Sequence, residues 1–150
     1  MEVFRLTKEH YSNSLSASGS PGRWNGKSQF TLYTSVSRAL TTLEMVVNHR
    51  GISSDSNYKT MIISIADDDR LYEQILLADL PLHWRTMFGY RLLQRLGSDW
   101  YLSQRSLVLK VPSAVIPQEH NYIINTSHPD FKDHVSLVRT ENYFWDDRLP

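Results

Sequence analysis

Short runs of alternating apolar and polar residues, bounded by turn residues, recur along most of this chain. Such runs predict β-strands, because successive side chains of a strand point to opposite faces of a sheet. In one run, Phe30, Leu32 and Thr34 share a face, and Thr31 and Tyr33 share the other. The predicted strands cover residues 2–6, 29–35, 59–65, 106–111, 121–125 and 134–139, with a further extended stretch at 115–117.

Two segments follow the 3.6-residue period of a helix instead. The first is capped by Ser35 or Ser37 and runs to about His49. Its apolar stripe consists of Ala39, Leu40, Leu43, Val46 and Val47. The second covers residues 86–96 and is expected to end at Gly97, since glycine commonly stops helices. Residues 71–79 fit either a short strand or a helix. Six or seven strands with few helices predict an α+β fold with a mixed sheet.

Length and composition narrow the class of protein. A chain of 150 residues fits one domain, and no internal repeat divides it. There is no cysteine, which excludes disulfides and thiolate metal sites. The 16 Lys and Arg balance 16 Asp and Glu, so the basic excess typical of nucleic-acid binding is missing. No signal peptide or membrane-length apolar run is recognisable, and a soluble cytoplasmic protein is expected.

The candidate chemistry is concentrated between residues 19 and 44. A glycine-rich turn delivers Arg23, the following strand delivers Tyr33, and the following helix delivers Glu44. One cation, one aromatic ring and one carboxylate suit a ligand that carries phosphate, a flat ring and a sugar hydroxyl. Two further candidates are Arg5, in the first strand, and Ser113, just past a strand end where loops commonly carry function.

Several of these residues also have a simpler structural interpretation. Arg5 is more often a strand-end cation that faces water than a cation aimed into a cleft. Glu44 lies at the edge of the apolar stripe, where a solvated helix carboxylate is the more common case. Trp24, next to Arg23, is more often a plug at the edge of the core than a surface for stacking.

Other catalytic and metal-binding motifs find little support. The six histidines lack His-x-x-x-His spacing, so a zinc site is not expected. The three aspartates at 67–69 indicate a solvated turn, because adjacent side chains do not point at one metal. The phosphate-binding Gly-x-x-x-x-Gly-Lys and dinucleotide-binding Gly-x-Gly-x-x-Gly motifs are absent. A Ser–His–Asp triad stays open, because triads are spatial, although no Gly-x-Ser-x-Gly elbow is present.

Four ordered segments resemble the RES domain, a family named for Arg, Glu and Ser residues. They are Gly-Arg-Trp-Asn at 22–25, Leu-Tyr-Thr-Ser at 32–35 with Ala-Leu at 39–40 and Leu-Glu at 43–44, Leu-Lys-Val-Pro-Ser-Ala-Val at 109–115, and Glu-His-Asn-Tyr-Ile-Ile-Asn at 119–125 with His-Pro at 128–129. The resemblance runs from residue 4 to residue 131. The family's functional residues fall on Arg5, Arg23, Tyr33, Glu44 and Ser113.

The resemblance implies a single RES domain over residues 1–150, similar in fold to diphtheria-toxin-like ADP-ribosyltransferases. It implies a toxin of a type II toxin–antitoxin system that halts growth by cleaving the nicotinamide–ribose bond of NAD, as a glycohydrolase or a phosphorylase. Arg23, Tyr33 and Glu44 are the implied catalytic residues; Arg5, Arg23, Tyr33 and Ser113 are the implied substrate-binding residues. No metal, and no cofactor beyond NAD as the substrate, is implied.

The roles that follow are expectations. Glu44 stabilises the positive charge that develops on the ribose or holds a ribose hydroxyl. Arg23 and Arg5 bind pyrophosphate oxygens, and Tyr33 stacks on the nicotinamide ring. Ser113 donates a hydrogen bond to the carboxamide or to a ribose hydroxyl.

The implied partner is an Xre-type antitoxin with a helix-turn-helix, which covers the active site and makes the DNA contact. A homodimer within that complex is compatible with the resemblance. Contact of this chain itself with DNA or a membrane is not expected. Two other functions stay open: an ADP-ribosyltransferase that modifies a cellular protein, and a non-catalytic interaction module that uses the aromatic residues 143–145. The acceptor, whether water, phosphate or protein, is not apparent from the sequence.

Overall fold

A seven-stranded mixed sheet organises the residues that the computed structural model describes, 1–48 and 57–150. The strands lie in the order β4-β5-β6-β2-β1-β3-β7, and every neighbouring pair is antiparallel except β4 with β5. The predicted α+β class with a mixed sheet is therefore confirmed. The strands are β1 (Glu2–Lys8), β2 (Thr31–Ser35), β3 (Tyr58–Ile65), β4 (Tyr72–Gln74), β5 (Val108–Pro112), β6 (His120–Asn125) and β7 (Val135–Asn142).

Three α-helices accompany the sheet in the described ranges: α1 (Arg38–Asn48), α2 (Met87–Ser103) and α3 (Phe131–His134). The Ser37 hydroxyl accepts a hydrogen bond from the Leu40 amide at 3.1 Å, which confirms the predicted cap of α1. The predicted end of that helix, His49, lies outside the described residues, as does most of the polar loop predicted around Gly51. No helix in the described part of the chain combines the length and the apolar composition needed to cross a membrane.

The broad apolar stripe predicted for α1 is wrong. The helix buries Leu40 and Thr41, whereas Leu43 and Val47 are exposed. The Thr41 hydroxyl donates a hydrogen bond to the Phe4 carbonyl at 2.9 Å, so α1 rests on β1 through a narrow strip that includes a polar contact. Of these exposed residues, Val47 lines the cleft described below.

The predicted end of α2 at Gly97 is also wrong, because α2 continues to Ser103. A Cβ atom on Gly97 would lie 1.7 Å from the Trp24 carbonyl oxygen. Glycine therefore permits a close approach between α2 and the backbone of the 22–25 loop. The helix ends instead at Gln104, which adopts a left-handed conformation with φ of 51°.

Two other segments differ from, or refine, the predictions. Residues 115–117 form a turn, not an extended stretch, because the Ser113 hydroxyl accepts the amides of Val115 and Ile116. The ambiguous residues 71–79 contain the end of a 3₁₀ turn (Asp69–Leu71), then β4, then a second 3₁₀ turn at Leu77–Asp79. The C-terminal aromatic segment packs on the body of the domain, where the Trp145 ring lies 6.4 Å from that of Tyr58.

The central strands carry a hydrophobic core on each face. Leu32, Tyr122 and Ile124 belong to one core, which β3 and β5 complete. The alternate position Ile123 belongs to the other, together with Trp24 and the inner side of α2. Trp24 is 2% exposed, so its simpler interpretation as a plug of the core is confirmed. Side-chain alternation in β2 and β6 thus fits two layers, with α2 covering the face that also holds the cleft.

The sheet opens between β1 and β2. β1 pairs with β3 along its whole length, and β2 pairs with β6 along its whole length. Between β1 and β2, by contrast, a single pair joins Phe4 to Ser35. The two strands therefore diverge from that point, and the side chains of β1, β2 and α1 face a common space beside it.

The contact of Gly97 with Trp24 yields a stability prediction. Gly97→Ala should lower the free energy of unfolding by about 1–3 kcal/mol or more, because the methyl group forces α2 away from the loop. The intrinsic helix preference of alanine acts in the opposite direction. Urea unfolding of this variant and of the control Gly26→Ala, whose Cβ would first meet the movable Ser98 hydroxyl at 3.3 Å, provides the measurement. Unchanged stability of Gly97→Ala would contradict the packing described here.

Candidate active site

A cleft of about 830 Å³ occupies the space where the sheet opens. Four of the five residues singled out in the sequence line it: Arg5 from β1, Arg23 from the 22–25 loop, Tyr33 from β2 and Glu44 from α1. The fifth, Ser113, is completely buried behind the cleft wall. The structure therefore gathers side chains from four separate elements into one site.

The Glu44 carboxylate is held by two donors on one oxygen. Its Oε1 accepts hydrogen bonds from the Ser113 hydroxyl at 2.8 Å and from the Asn121 amide at 2.6 Å. Its Oε2 has a weaker contact, 3.4 Å from the Asn48 amide one turn further along α1. The side chain is half-buried rather than a solvated helix carboxylate. The arrangement orients the carboxylate and leaves Oε2 as the oxygen with room for a ligand.

The Ser113 hydroxyl makes all of its hydrogen bonds to other groups of the protein. Its hydroxyl donates to Glu44 and accepts the amide hydrogens of Val115 at 3.0 Å and Ile116 at 3.1 Å. One donor and two acceptor positions are all that a serine hydroxyl offers, and all three are used. Ser113 thus contributes to the cleft through Glu44. The expected direct bond from Ser113 to a substrate stays a prediction, and it requires the hydroxyl to release Glu44.

The Tyr33 hydroxyl fixes the 22–25 loop. It donates to Asn25 Oδ1 at 2.7 Å and accepts the Trp24 amide at 2.9 Å. Burial raises the pKa of Tyr33 above the ordinary tyrosine range, which keeps the phenol neutral. A Cβ on Gly22 would lie 2.6 Å from this hydroxyl, so the loop needs glycine there. Because the hydroxyl is engaged, the ring is the part of Tyr33 that is left for a ligand.

Arg23 links the loop to the start of α2. Its Nη1 donates to the Arg85 carbonyl at 3.3 Å, and its guanidinium carbon lies 5.5 Å from the centre of the Tyr90 ring. Arg85 in turn donates from Nε to the Ala114 carbonyl at 2.7 Å. These contacts tie together three of the segments that border the cleft, and they hold the Arg23 cation in its wall.

Arg5 has an unsatisfied donor. Its Nη1 is buried and has no hydrogen-bond partner among residues 1–48 and 57–150. Burial also lowers the pKa of Arg5, because desolvation disfavours the charged form of the guanidinium. A buried cationic donor without an acceptor costs free energy, which an anion in the cleft would offset. The interpretation of Arg5 as a water-facing strand residue is therefore wrong.

Two residues of the site were missed by the sequence analysis. Asn121 lies within a segment that carried the family resemblance, but nothing in the sequence showed that its amide meets Glu44. The position of Asn121 beside Glu44 follows from the register of β6 against β2, which only the structure provides. Arg85 lies in a polar segment before α2, and no motif marks it as a neighbour of the 113–116 turn.

Comparisons with known proteins agree with the resemblance noted in the sequence. The family described as RES domain matches residues 2–146. The chain is 32% identical over 128 residues to Toxin Res of Yersinia enterocolitica, covering 85% of this chain and 83% of that protein. It is 32% identical over 129 residues to the Prs ADP-ribosylating toxin of Sphingobium sp., covering 85% and 80%. Toxin Res of Photorhabdus laumondii is 29% identical over 156 residues, covering 99% and 97%.

A solved structure supports the fold. A chain of the M. tuberculosis MbcT–MbcA toxin–antitoxin complex superposes with a TM-score of 0.74 at 16% sequence identity, covering 95% of this chain and 83% of that one. The expected α+β fold with a mixed sheet is confirmed, and the chain shares its fold with that solved structure.

The hydrogen bonds of Tyr33 predict the effect of removing its hydroxyl. Tyr33→Phe should lower the free energy of unfolding by about 1–3 kcal/mol, because the Trp24 amide and the fully buried Asn25 lose their partner. Urea unfolding measures the loss, and amide hydrogen exchange at Trp24 should accelerate. Tyr11→Phe, at a side chain that is 57% exposed, is the matched control. Equal stability of the two variants would show that Tyr33 does not fix the loop.

Proposed function

This chain belongs to the RES domain family, and from that membership and the contents of its cleft we propose that it is the toxin of a toxin–antitoxin pair and cleaves the nicotinamide–ribose bond of NAD. One observation carries the proposal: the oriented carboxylate of Glu44 shares a cleft with the unpartnered cationic donor of Arg5. NAD offers a group to each, a ribose for the carboxylate and a pyrophosphate for the cation.

Glu44 supplies the electrostatic part of the reaction. When the bond breaks, the pyridinium nitrogen keeps the bonding electrons, nicotinamide leaves neutral, and positive charge develops on the ribose. A fixed carboxylate stabilises that charge without having to reorganise. With Oε1 occupied by Ser113 and Asn121, Oε2 is available to the ribose. Phosphate, or water that loses a proton to the solvent, then bonds to the carbon that nicotinamide has left.

Two of the three arginines that line the cleft, Arg5 and Arg23, bind the rest of the substrate together with the tyrosine ring. Arg5 directs its free donor to a pyrophosphate oxygen, and Arg23 provides a second guanidinium fork for the same group. The Tyr33 ring stacks on the nicotinamide, since its hydroxyl is committed to the loop. The proposed reaction uses NAD as its substrate and no other cofactor.

An antitoxin is the proposed partner. The MbcT–MbcA structure is a toxin–antitoxin complex, which supports such a partner here. Leu82 lines the cleft and is 90% exposed, and Met87 and Phe88, which follow the lining residue Thr86 in the chain, are 86% and 94% exposed. An exposed apolar group of this kind suits coverage by another protein. We propose an Xre-type antitoxin that covers the cleft and supplies the DNA contact, because this chain has a formal net charge of zero.

A second candidate function is transfer of ADP-ribose to a protein. The relative from Sphingobium is called the Prs ADP-ribosylating toxin, and it is among the most similar proteins found. The same cleft would bind NAD and break the same bond, with a protein side chain in place of water or phosphate. The two functions differ in the acceptor alone.

The main proposal predicts nicotinamide release from NAD by the purified chain without antitoxin. Glu44→Gln should reduce the rate by about 10²–10³-fold or more, since glutamine keeps the shape and the hydrogen bonds but not the charge. Liquid chromatography measures nicotinamide with and without added phosphate, and a phosphate requirement identifies the acceptor. Glu141→Gln is the control, because that carboxylate pairs with Arg38 and does not line the cleft.

Either of two results would reject the main proposal: no nicotinamide release by the intact chain, or equal release by Glu44→Gln. If release occurs only with cell extract, and mass spectrometry finds ADP-ribose on a protein, the second candidate is the correct one.

Arg5 yields a prediction in which stability and binding respond differently. Arg5→Met should leave the free energy of unfolding unchanged or higher, because it removes an unpaired buried charge. In a Glu44→Gln background, which slows turnover, it should weaken NAD binding by about 10- to 100-fold. Calorimetry measures the affinity. Arg70→Met, at a side chain that is 90% exposed, is the control. Unaltered NAD affinity in Arg5→Met would contradict its assignment to the pyrophosphate.

A further inference from the structure

Asn121 is the residue of the cleft that the family motifs leave without a role. It lies at the start of β6, directly opposite Ser35 at the end of β2. Opposed residues of antiparallel strands project to the same face of a sheet, and so do Ser35 and Tyr33, two positions apart. Asn121 therefore continues the wall that Tyr33 begins, and it lines the cleft beside Glu44.

The Asn121 amide connects two elements of the fold. Its Nδ2 donates to Glu44 Oε1 at 2.6 Å, and its Oδ1 accepts the Ser35 hydroxyl at 2.8 Å. The pair of bonds fixes which end of the amide faces the carboxylate, because a reversed amide would set two oxygens against each other. Ser35 is only 5% exposed, so its bond to the amide is shielded from water.

If Ser113 were its only donor, the Glu44 carboxylate could still rotate. A single hydrogen bond on Oε1 permits rotation about that contact, whereas two donors on the same oxygen define its direction. The second donor comes from Asn121, on a strand in the middle of the sheet. A carboxylate that must meet a developing charge gains most when its position is fixed in advance.

We propose that Asn121, itself oriented by Ser35, is a positioning residue that fixes the Glu44 carboxylate for reaction. Its effect on catalysis rests on the proposed function. Its effect on the geometry of Glu44 does not.

Three variants test the proposal by steady-state kinetics of nicotinamide release. Asn121→Ser, too short to reach Glu44, should lower kcat by about 10- to 100-fold with little change in KM, because a hydrogen bond to a charged group is lost. Ser35→Ala should lower kcat by a smaller factor, since the amide keeps its bond to Glu44 but loses its anchor. Asn142→Asp, on β7 beside Lys59, is the control and should behave as the intact chain.

Asn121→Asp separates positioning from a merely structural role. The substitution keeps the shape but sets one carboxylate against another, so the activity at neutral pH should fall at least as far as in Asn121→Ser. As the pH falls and the pair takes up one proton, that proton restores the hydrogen bond. The activity of Asn121→Asp relative to the intact chain should therefore rise toward low pH. The other charged groups that line the cleft, Arg5, Arg23 and Arg85, are present in both proteins, so their effects cancel in the comparison.

Crystal structures test whether Asn121 fixes the position of the Glu44 carboxylate, whatever the substrate is. In Asn121→Ser, the Glu44 carboxylate should turn away from its position on Ser113, and thermal unfolding checks that the variant is folded. The proposal is overturned if the carboxylate stays in place, if Asn121→Ser keeps the kcat of the intact chain, or if Asn121→Asp shows no recovery at low pH. If the intact chain releases no nicotinamide, the proposed function fails, and the crystal structures still decide the role of Asn121.

Discussion

The register of β2 against β6 is the constraint on which the cleft depends. It sets Tyr33 opposite Ile123 and Ser35 opposite Asn121. A slip of one residue would turn every side chain of β2 to the other face, taking the fully buried Leu32 out of its core. Burying such a side chain contributes about 1.5–3 kcal/mol, and the chain therefore has a strong preference for the observed pairing. The position of the site residues follows from the packing of the core beneath them.

Polar groups in the cleft fall into two kinds. The Tyr33 hydroxyl and the Glu44 carboxylate have hydrogen-bond partners within the protein, which hold both side chains in place before any ligand binds. The Arg5 donor is different: in the described part of the chain it is the one fully buried side-chain nitrogen or oxygen with no partner. Preorganised groups are suited to act on a reacting centre, and an unsatisfied cation is suited to attract the anionic part of the same ligand. The division of roles in the proposed reaction follows from this contrast.

The sequence was most informative where local pattern decides structure. Alternation located the central parts of β1, β2, β3, β5, β6 and β7, and the serine cap located the start of α1. Prediction from the sequence failed where a tertiary contact overrides a local rule. Gly97 follows the pattern of a helix stop, but it serves the close approach of α2 to Trp24. The contacts of Ser113 with Glu44 and with its own loop were not apparent from any local pattern, and its expected bond to a substrate stays a prediction. Asn121 was missed because its role depends on strand register, which no local pattern encodes.

The most direct test of the central claim, that this cleft binds NAD with its ribose against Glu44, is a crystal structure of the Glu44→Gln chain with NAD. The account predicts the nicotinamide-bearing ribose within hydrogen-bond distance of residue 44 and a pyrophosphate oxygen on the free nitrogen of Arg5. NAD bound elsewhere on the protein, or bound in the cleft with its pyrophosphate away from Arg5, would contradict the account.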